Sequence, residues 1–388
     1  MPHIASRVAE TGTTIFTEIN QLAQRRGDVL NLGQGKPDFD TPPEILKAAI
    51  KAMEAGHNQY APGTGIPALR EGVAQHVKRF YDMDVDPDTG VVIASGASEA
   101  VYAAAMGIVN PGEEVILIEP HFDTYKPSIV HAGGIPVYVP LQPPNWTLDE
   151  AALRAAFNDN TKAIIINTPH NPTGRVFNMD ELTLIADLCK EHDAIVISDE
   201  VYEHLVFEGH QHIPIATLPD MWDRTITVSS AAKTFTVTGW KVGWAYGHPD
   251  LVGAVWKVRQ DITFAVHHAS QYGIAHALTL SDDFYADYLA MYERKRDILL
   301  PALQSAGFKP FIPQGTFYIM ADFTDLFDGG SRAFAEHLIN EAGVACIPPG
   351  TFFSEAHRNL AQQHVRFSFC MQDDTLHRAA DRLQKLRS

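Results

Sequence analysis

The sequence predicts an α/β fold: a mainly parallel seven-stranded sheet with helices on both faces, followed by a smaller α+β domain. Three observations predict it. Seven short apolar runs rich in Val and Ile recur between residues 91 and 247. Stretches of helical length and pattern separate several of them, as in α/β crossovers. A long helical stretch at 283–307 then gives way to short strands with a helix between them.

The runs are "VVIA" (91–94), "EVILIEP" (114–120), "IPVYVPL" (135–141), "KAIIIN" (162–167), "AIVISDE" (194–200), "TITVSS" (225–230) and "VGWAYG" (242–247). Their flat hydrophobicity suits strands buried on both faces. "SEAVYAAAMGIV" follows the first and "MDELTLIADLCKEH" the fourth, each as a helix. The close spacing of the last two runs allows one antiparallel strand. "DFYADYLAMYERKRDILLPALQSAG" leaves the sheet as a long helix, and "GTFYIMADF", "SRAFAEHLINEAG" and "HVRFSFC" follow as strand, helix and strand. The expected division is a large domain over 43–285, a small α+β domain over 286–388, and an N-terminal segment, 1–42, packing on the small domain.

Composition narrows the function. With 30 basic against 47 acidic residues the formal charge is −17, which argues against nucleic acid, since phosphate backbones reward clustered Lys and Arg. Cys189, Cys346 and Cys370 form no CxxC pair and read as buried thiols of a reducing compartment. "MPHIASRVAETG" lacks the basic start and apolar core of a secretory signal. No run approaches the ~18 apolar residues of a membrane helix. A soluble cytoplasmic protein without a membrane partner is the expectation.

Ligands of open α/β sheets sit beyond the carboxyl ends of the strands, so the segments after the strands hold the candidates. After "VVIA", the loop "SGASEA" aims backbone N–H groups of Gly96, Ala97 and Ser98 at an anion, and Ser98 adds a hydroxyl. After "KAIIIN", Asn171 precedes a proline that fixes its geometry. After "AIVIS" come Asp199 and Tyr202; an aspartate ending so apolar a strand requires a cationic partner. "TVSSAAKTFTVTGWKVGW" then places Ser230, Lys233 and Lys241 on a small-sided turn. Each residue alone has a plain explanation, but the set matches one cofactor. Lys233 forms an imine with an aldehyde, and Asp199 keeps a ring pyridinium protonated as an electron sink. Asn171 and Tyr202 reach a ring phenolate, while Gly96, Ala97, Ser98, Ser230 and Lys241 surround a phosphate. That cofactor is pyridoxal 5′-phosphate.

"VLNLGQGKPDF", "NQYAPGTG", "IEPHFDTY", "NTPHNPTG", "SDEVYEHLVF", "SAAKTFTVTGWKVGW", "IPQGTFYIMADF" and "VRFSFC" run almost from end to end. With them the chain resembles the class I aminotransferases of fold type I, in the branch of kynurenine aminotransferase, also called glutamine transaminase K. The resemblance implies that Lys233 binds the cofactor covalently and then carries the proton to and from substrate Cα. It implies that Phe122 stacks on the ring and that Tyr60 reaches the phosphate of a neighbouring subunit, hence a homodimer with shared active sites. Arg366 would clamp the substrate α-carboxylate bidentately, with Gly35 and Asn171 assisting. Phe16 and Phe264 would line the substrate pocket. Two departures stand out: Lys241 replaces the arginine of many relatives, and Ser98 replaces a pocket aromatic of this branch.

The expected reaction is a ping-pong transamination from a neutral or aromatic amino acid of the glutamine, methionine or kynurenine type to a 2-oxo acid. The rivals are N-succinyldiaminopimelate aminotransferase and cysteine-S-conjugate β-lyase activity. No metal is expected. The histidines of "GHQH" (209–212) and "HH" (267–268) lack a third ligand at metal spacing and read as solvated loop and helix positions.

Overall fold

The structure, a computed structural model, describes residues 12–387 together with Ala5 and Val8. Most of the stretch bearing on a secretory signal lies outside the described residues. The chain enters through helix α1 (Ile15–Arg26), strand β1 (Leu30–Asn31) and helices α2 (Pro43–Glu54) and α3 (Pro67–Tyr81). It then lays down β2 (Val91–Ala94), α4 (Ala97–Ile108), β3 (Glu114–Glu119), α5 (Tyr125–His131), β4 (Ile135–Pro140), α6 (Glu150–Ala156) and β5 (Thr161–Asn167). Next come α7 (Met179–Glu191), β6 (Ile195–Asp199), β7 (Thr225–Ser230), α8 (Ala231–Thr234), β8 (Gly243–Gly247), α9 (Pro249–Ile262), α10 (His268–Ala277) and α11 (Asp282–Ala306). The remainder is β9 (Lys309–Pro310), β10 (Tyr318–Asp322), α12 (Ser331–Ala342), β11 (Val344–Ala345), β12 (His364–Ser368) and α13 (Asp373–Leu383).

Each of the seven apolar runs is a strand of one sheet, in the order β2-β8-β7-β6-β5-β3-β4. Neighbours from β7 to β4 pair in parallel, and β8 runs antiparallel to both β7 and β2. The runs are continuous because both faces are covered. Ile116, Ile118, Ile164 and Ile166 enter one apolar cluster, while the alternating Val115, Leu117, Ala163 and Ile165 enter another. Helix α4 lies against the second face through Ala100, Ala103, Ala104 and Ala105, all fully buried, whose small side chains allow close approach. Helix α7 begins in a capping box of Asn178 and Glu181, and α11 stops at Gly307, whose φ of 101° takes the left-handed turn a glycine accepts.

Beyond α11, β10 pairs antiparallel with β12 and sets Met320 opposite Arg366. Strand β1 pairs in parallel with β11, so the N-terminal segment is hydrogen-bonded into the C-terminal layer. Ile15, Ile19 and Ala23 bury one face of α1 in the same cluster as Phe334 and Leu338 of α12. Val201 and Tyr202, just past the end of β6, belong to that cluster too. The C-terminal layer therefore packs directly on the carboxyl edge of the main sheet, bringing Arg366 to the ends of β5 and β6.

Candidate active site

The ends of β5, β6 and β7 lie side by side, with Asn167 opposite Asp199 and Asp199 opposite Val228. Above them opens a cavity of ≈ 200 Å³ lined by Gly35, Gly96, Ala97, Ser98, Phe122, Asn171, Asp199, Tyr202, Ser230, Lys233 and Lys241. Eleven residues singled out in the sequence thus line one space.

At its floor, Asp199 is 5% exposed, and Tyr125 donates its hydroxyl to Oδ2 at 2.6 Å. Burial pushes the Asp199 pKa from 3.8 up to about 6, against the Tyr125 hydroxyl, the Val201 N–H and the charge of Lys233, which favour the carboxylate. Among the described residues no cation lies within 4.0 Å of it. Asn167 ties this floor to the next loop: its amide nitrogen donates to the Asp199 carbonyl at 2.8 Å, and its oxygen accepts the Asn171 N–H at 2.7 Å.

One wall is built for an anion. Gly96 turns into α4 at φ 79° with no side chain capping the helix, so the first N–H groups point outward unpartnered. Lys241 sits at φ 54° with its ammonium folded over Gly96; a Cβ there would lie 3.1 Å from Nζ. No acceptor holds that ammonium among the described residues, and Ser230 stands at the end of β7 beside it. Between floor and wall, Lys233 Nζ donates to the Gly35 carbonyl at 3.4 Å and faces the rings of Phe317 and Tyr202 at 5.2 and 5.5 Å.

Arg366 is 1% exposed, donating at 2.8 Å to both the Asn171 side-chain oxygen and the Gly33 carbonyl. Its guanidinium carbon lies 4.0 Å from the Tyr318 ring centre, 5.2 Å from Phe16 and 5.5 Å from Phe352. Nε has no partner, and no carboxylate pairs with this buried cation among the described residues. Phe16 thus borders Arg366 rather than the cavity itself. Tyr60 is 81% exposed and packs edge-on against Phe264, which is 56% exposed. Neither lines the cavity of its own chain.

The sequence reading missed Tyr125, Asn167 and Tyr318. Tyr125 stands three residues after Phe122 in "FDTY", and Tyr318 lies inside "GTFY"; only their hydroxyls, aimed at Asp199 and Tyr202, give them a place. One expectation is corrected. His212 of "GHQH" is buried, not solvated, because its Nε2 meets Glu200 Oε2 at 2.9 Å and the fully buried Glu200 requires a partner. His267 bonds Ser270, and His268 reaches the Gln59 carbonyl. Elsewhere His76, Glu203 and His204 come within 4.8 Å of one another. They close on themselves: the histidine Nε2 atoms are 3.0 Å apart, and Glu203 accepts from Tyr81 and Ser229, each at 2.5 Å. The three cysteines are free and buried.

Residues 27–383 match the family Aminotransferase class I and II. The chain belongs to that family. The aminotransferase is 39% identical to kynurenine–oxoglutarate transaminase of Dictyostelium discoideum over 99% of this chain and 96% of that protein. The structure of N-succinyldiaminopimelate aminotransferase from Mycobacterium tuberculosis superposes with a TM-score of 0.95 at 43% identity, covering 99% of this chain and 100% of that one. An Escherichia coli protein with a methionine aminotransferase function superposes with a TM-score of 0.94 at 36% identity, over 99% and 100% of the two chains. The aminotransferase has the fold-type I architecture and depends on pyridoxal 5′-phosphate. Its residues fit that cofactor: a buried carboxylate without a cation would suit a ring pyridinium, and an uncapped helix with an unpaired ammonium would suit a phosphate.

Proposed function

We propose that this aminotransferase takes the amino group of a neutral or aromatic amino acid, of the glutamine, methionine or kynurenine type, and passes it to a 2-oxo acid in two half-reactions on one site. Pyridoxal 5′-phosphate, when bound, supplies an electron-withdrawing ring that accepts the electron pair of substrate Cα. Gly96, Ala97, Ser98, Ser230 and Lys241 hold its phosphate. Asp199 keeps the proton on the ring nitrogen, Asn171 and Tyr202 hydrogen-bond the ring hydroxyl, and Phe122 lies on the ring face. Lys233 would hold the cofactor covalently and, with its amine free, would take the proton from substrate Cα and return it. Arg366, with Gly35 and Asn171, receives the α-carboxylate, and Phe16 lines the path of the substrate side chain. Tyr60 reaches the phosphate of a second copy, and its exposure supports a homodimer with shared sites. Residues 43–285 act as the large domain and 286–388 as the small one, with 1–42 packed on the latter.

The single observation carrying this reading is the buried Arg366, with no carboxylate within 4.0 Å among the described residues, bonded to the Asn171 that lines the cavity with Lys233 and Asp199. The neutral donor is supported by the cavity lining, whose only cations are Lys233 and Lys241, both already assigned. The relative from Mycobacterium tuberculosis, at 43% identity, favours N-succinyldiaminopimelate as a second reading. No helix among the described residues is long and apolar enough to cross a membrane, and the free thiols support a cytoplasmic setting. A donor panel decides: single-turnover mixing with glutamine, methionine, kynurenine, aspartate and N-succinyldiaminopimelate, followed by the cofactor's visible spectrum. Rapid conversion by the first three supports the proposal. Conversion by N-succinyldiaminopimelate or aspartate alone refutes it. Sustained release of pyruvate and ammonia from a cysteine conjugate without an acceptor assigns β-lyase chemistry instead.

A further inference from the structure

Tyr318, in β10, is 3% exposed and lines the cavity. Its ring is the nearest of three to the Arg366 guanidinium, 4.0 Å from the centre. The hydrogen bonds of that cation leave its tilt free: Asn171 and the Gly33 carbonyl take one N–H from each terminal nitrogen, and Nε has no partner. The Phe16 and Phe352 rings stand farther off, at 5.2 and 5.5 Å. A planar cation held at two atoms still swings about the line joining them, and a ring at van der Waals distance stops the swing. The Tyr318 hydroxyl meets a different neighbour. Tyr202 donates its proton to it at 3.2 Å. That hydroxyl also rests on Gly35, where an added methyl would sit 2.0 Å away, and the Gly35 carbonyl accepts from Lys233.

We infer that Tyr318 is a positioning residue that fixes the Arg366 guanidinium for a carboxylate through its ring and ties that clamp to the Tyr202 phenol through its hydroxyl. The inference rests on the roles proposed for Arg366 and Tyr202. With Tyr202 donating to Tyr318 at 3.2 Å, less of its proton would be available to a bound cofactor's ring oxygen. Removing the Tyr318 acceptor would leave that proton to the ring oxygen and favour its anionic form.

The test uses the holoenzyme and 3-phenylpropionate, a carboxylate with no amine to react. Two quantities are read: the dissociation constant, and the pH midpoint of the bound cofactor's visible band. Tyr318→Phe keeps the ring and loses the hydroxyl; it is expected to bind 3-phenylpropionate within about twofold of the wild type while the midpoint falls by about half a pH unit. Tyr318→Leu loses the ring and is expected to bind about tenfold more weakly. Unweakened binding by Tyr318→Leu overturns the ring's role, and an unmoved midpoint in Tyr318→Phe overturns the hydroxyl's. Thermal unfolding reads folding separately, and Tyr318→Met replaces the leucine variant if that one fails to fold. Arg366→Lys run alongside separates the two levels. If it binds like the wild type, the assignment of Arg366 has failed; if it alone loses binding, only the inference about Tyr318 has.

Discussion

Replacing Asp199 by asparagine should make the cofactor-free protein more stable while disabling the loaded enzyme. Burial raises the Asp199 pKa from the ordinary 3.8 to about 6. At about 1.4 kcal/mol per pH unit, its ionisation costs the folded chain about 3 kcal/mol more than the unfolded one. Between about pH 4 and 6 the folded protein keeps a proton that the unfolded chain has released. Stability therefore falls as pH rises through that window and stays lowered above it. Asparagine carries no charge, keeps an oxygen for the Tyr125 hydroxyl, and removes this pH dependence. The assay is urea unfolding of cofactor-free wild type and Asp199→Asn at several pH values from 4 to 8, taking the difference so that other titrating groups cancel. The expected difference grows from near zero to about 3 kcal/mol in favour of the variant, with its rise centred between pH 4 and 6. With cofactor added the order should reverse, since the ring cation then supplies the partner that the wild-type carboxylate lacks. Parallel curves across the range would refute the claim that Asp199 is held in an uncompensated site.

Lys233→Ala should bind the cofactor only non-covalently, shown by loss of a borohydride-trappable adduct, and transamination should fall by several orders of magnitude. Gly96→Ala forces a left-handed φ of 79° on a side chain and brings its methyl to 3.1 Å from the Lys241 ammonium. It should cost about 1–3 kcal/mol of stability and weaken cofactor binding, read by fluorescence titration. Gly35→Ala places a methyl 2.0 Å from the Tyr318 hydroxyl. It should raise KM for amino-acid donors more than it lowers kcat, because Arg366 loses its support before the cofactor does.

Much of the fold is legible because its strands are buried twice over. A run such as "KAIIIN" needs no alternation when both faces meet apolar clusters, and β5 occupies Thr161–Asn167 accordingly. Most of the residues that line the cavity are legible for a related reason: they follow strand ends directly, so their place is local. What escaped is set by contacts distant in sequence. Tyr125 reaches Asp199 across 74 positions, and Tyr318 reaches Tyr202 across 116. No periodicity in either segment points a hydroxyl at its partner. His212 escaped differently. Its polar loop "GHQH" looks solvated, and only the buried Glu200, just past the end of β6, accounts for its position.

Two buried charges at the site, Asp199 and Arg366, have no counter-ion within 4.0 Å among the described residues. Glu119, Glu200 and Glu203 are also buried, yet each meets a histidine, a hydroxyl or an N–H from elsewhere in the fold. Asp199, at the floor of the cavity, and Arg366, behind the Asn171 and Tyr318 that line it, hydrogen-bond only neutral groups. A core evolved for stability alone would neutralise both, since a buried charge without a counter-ion costs several kcal/mol. Their opposite signs do not cancel here, because neither lies within ion-pairing distance of the other or of any side chain described. A ring cation and a carboxylate would supply the missing counter-ions, so the charge defect in the folded chain fits the cofactor and amino-acid substrate as proposed. This also explains why cofactor and substrate should each stabilise the protein, and why the gain from the carboxylate should vanish in Arg366→Lys while the gain from the cofactor persists.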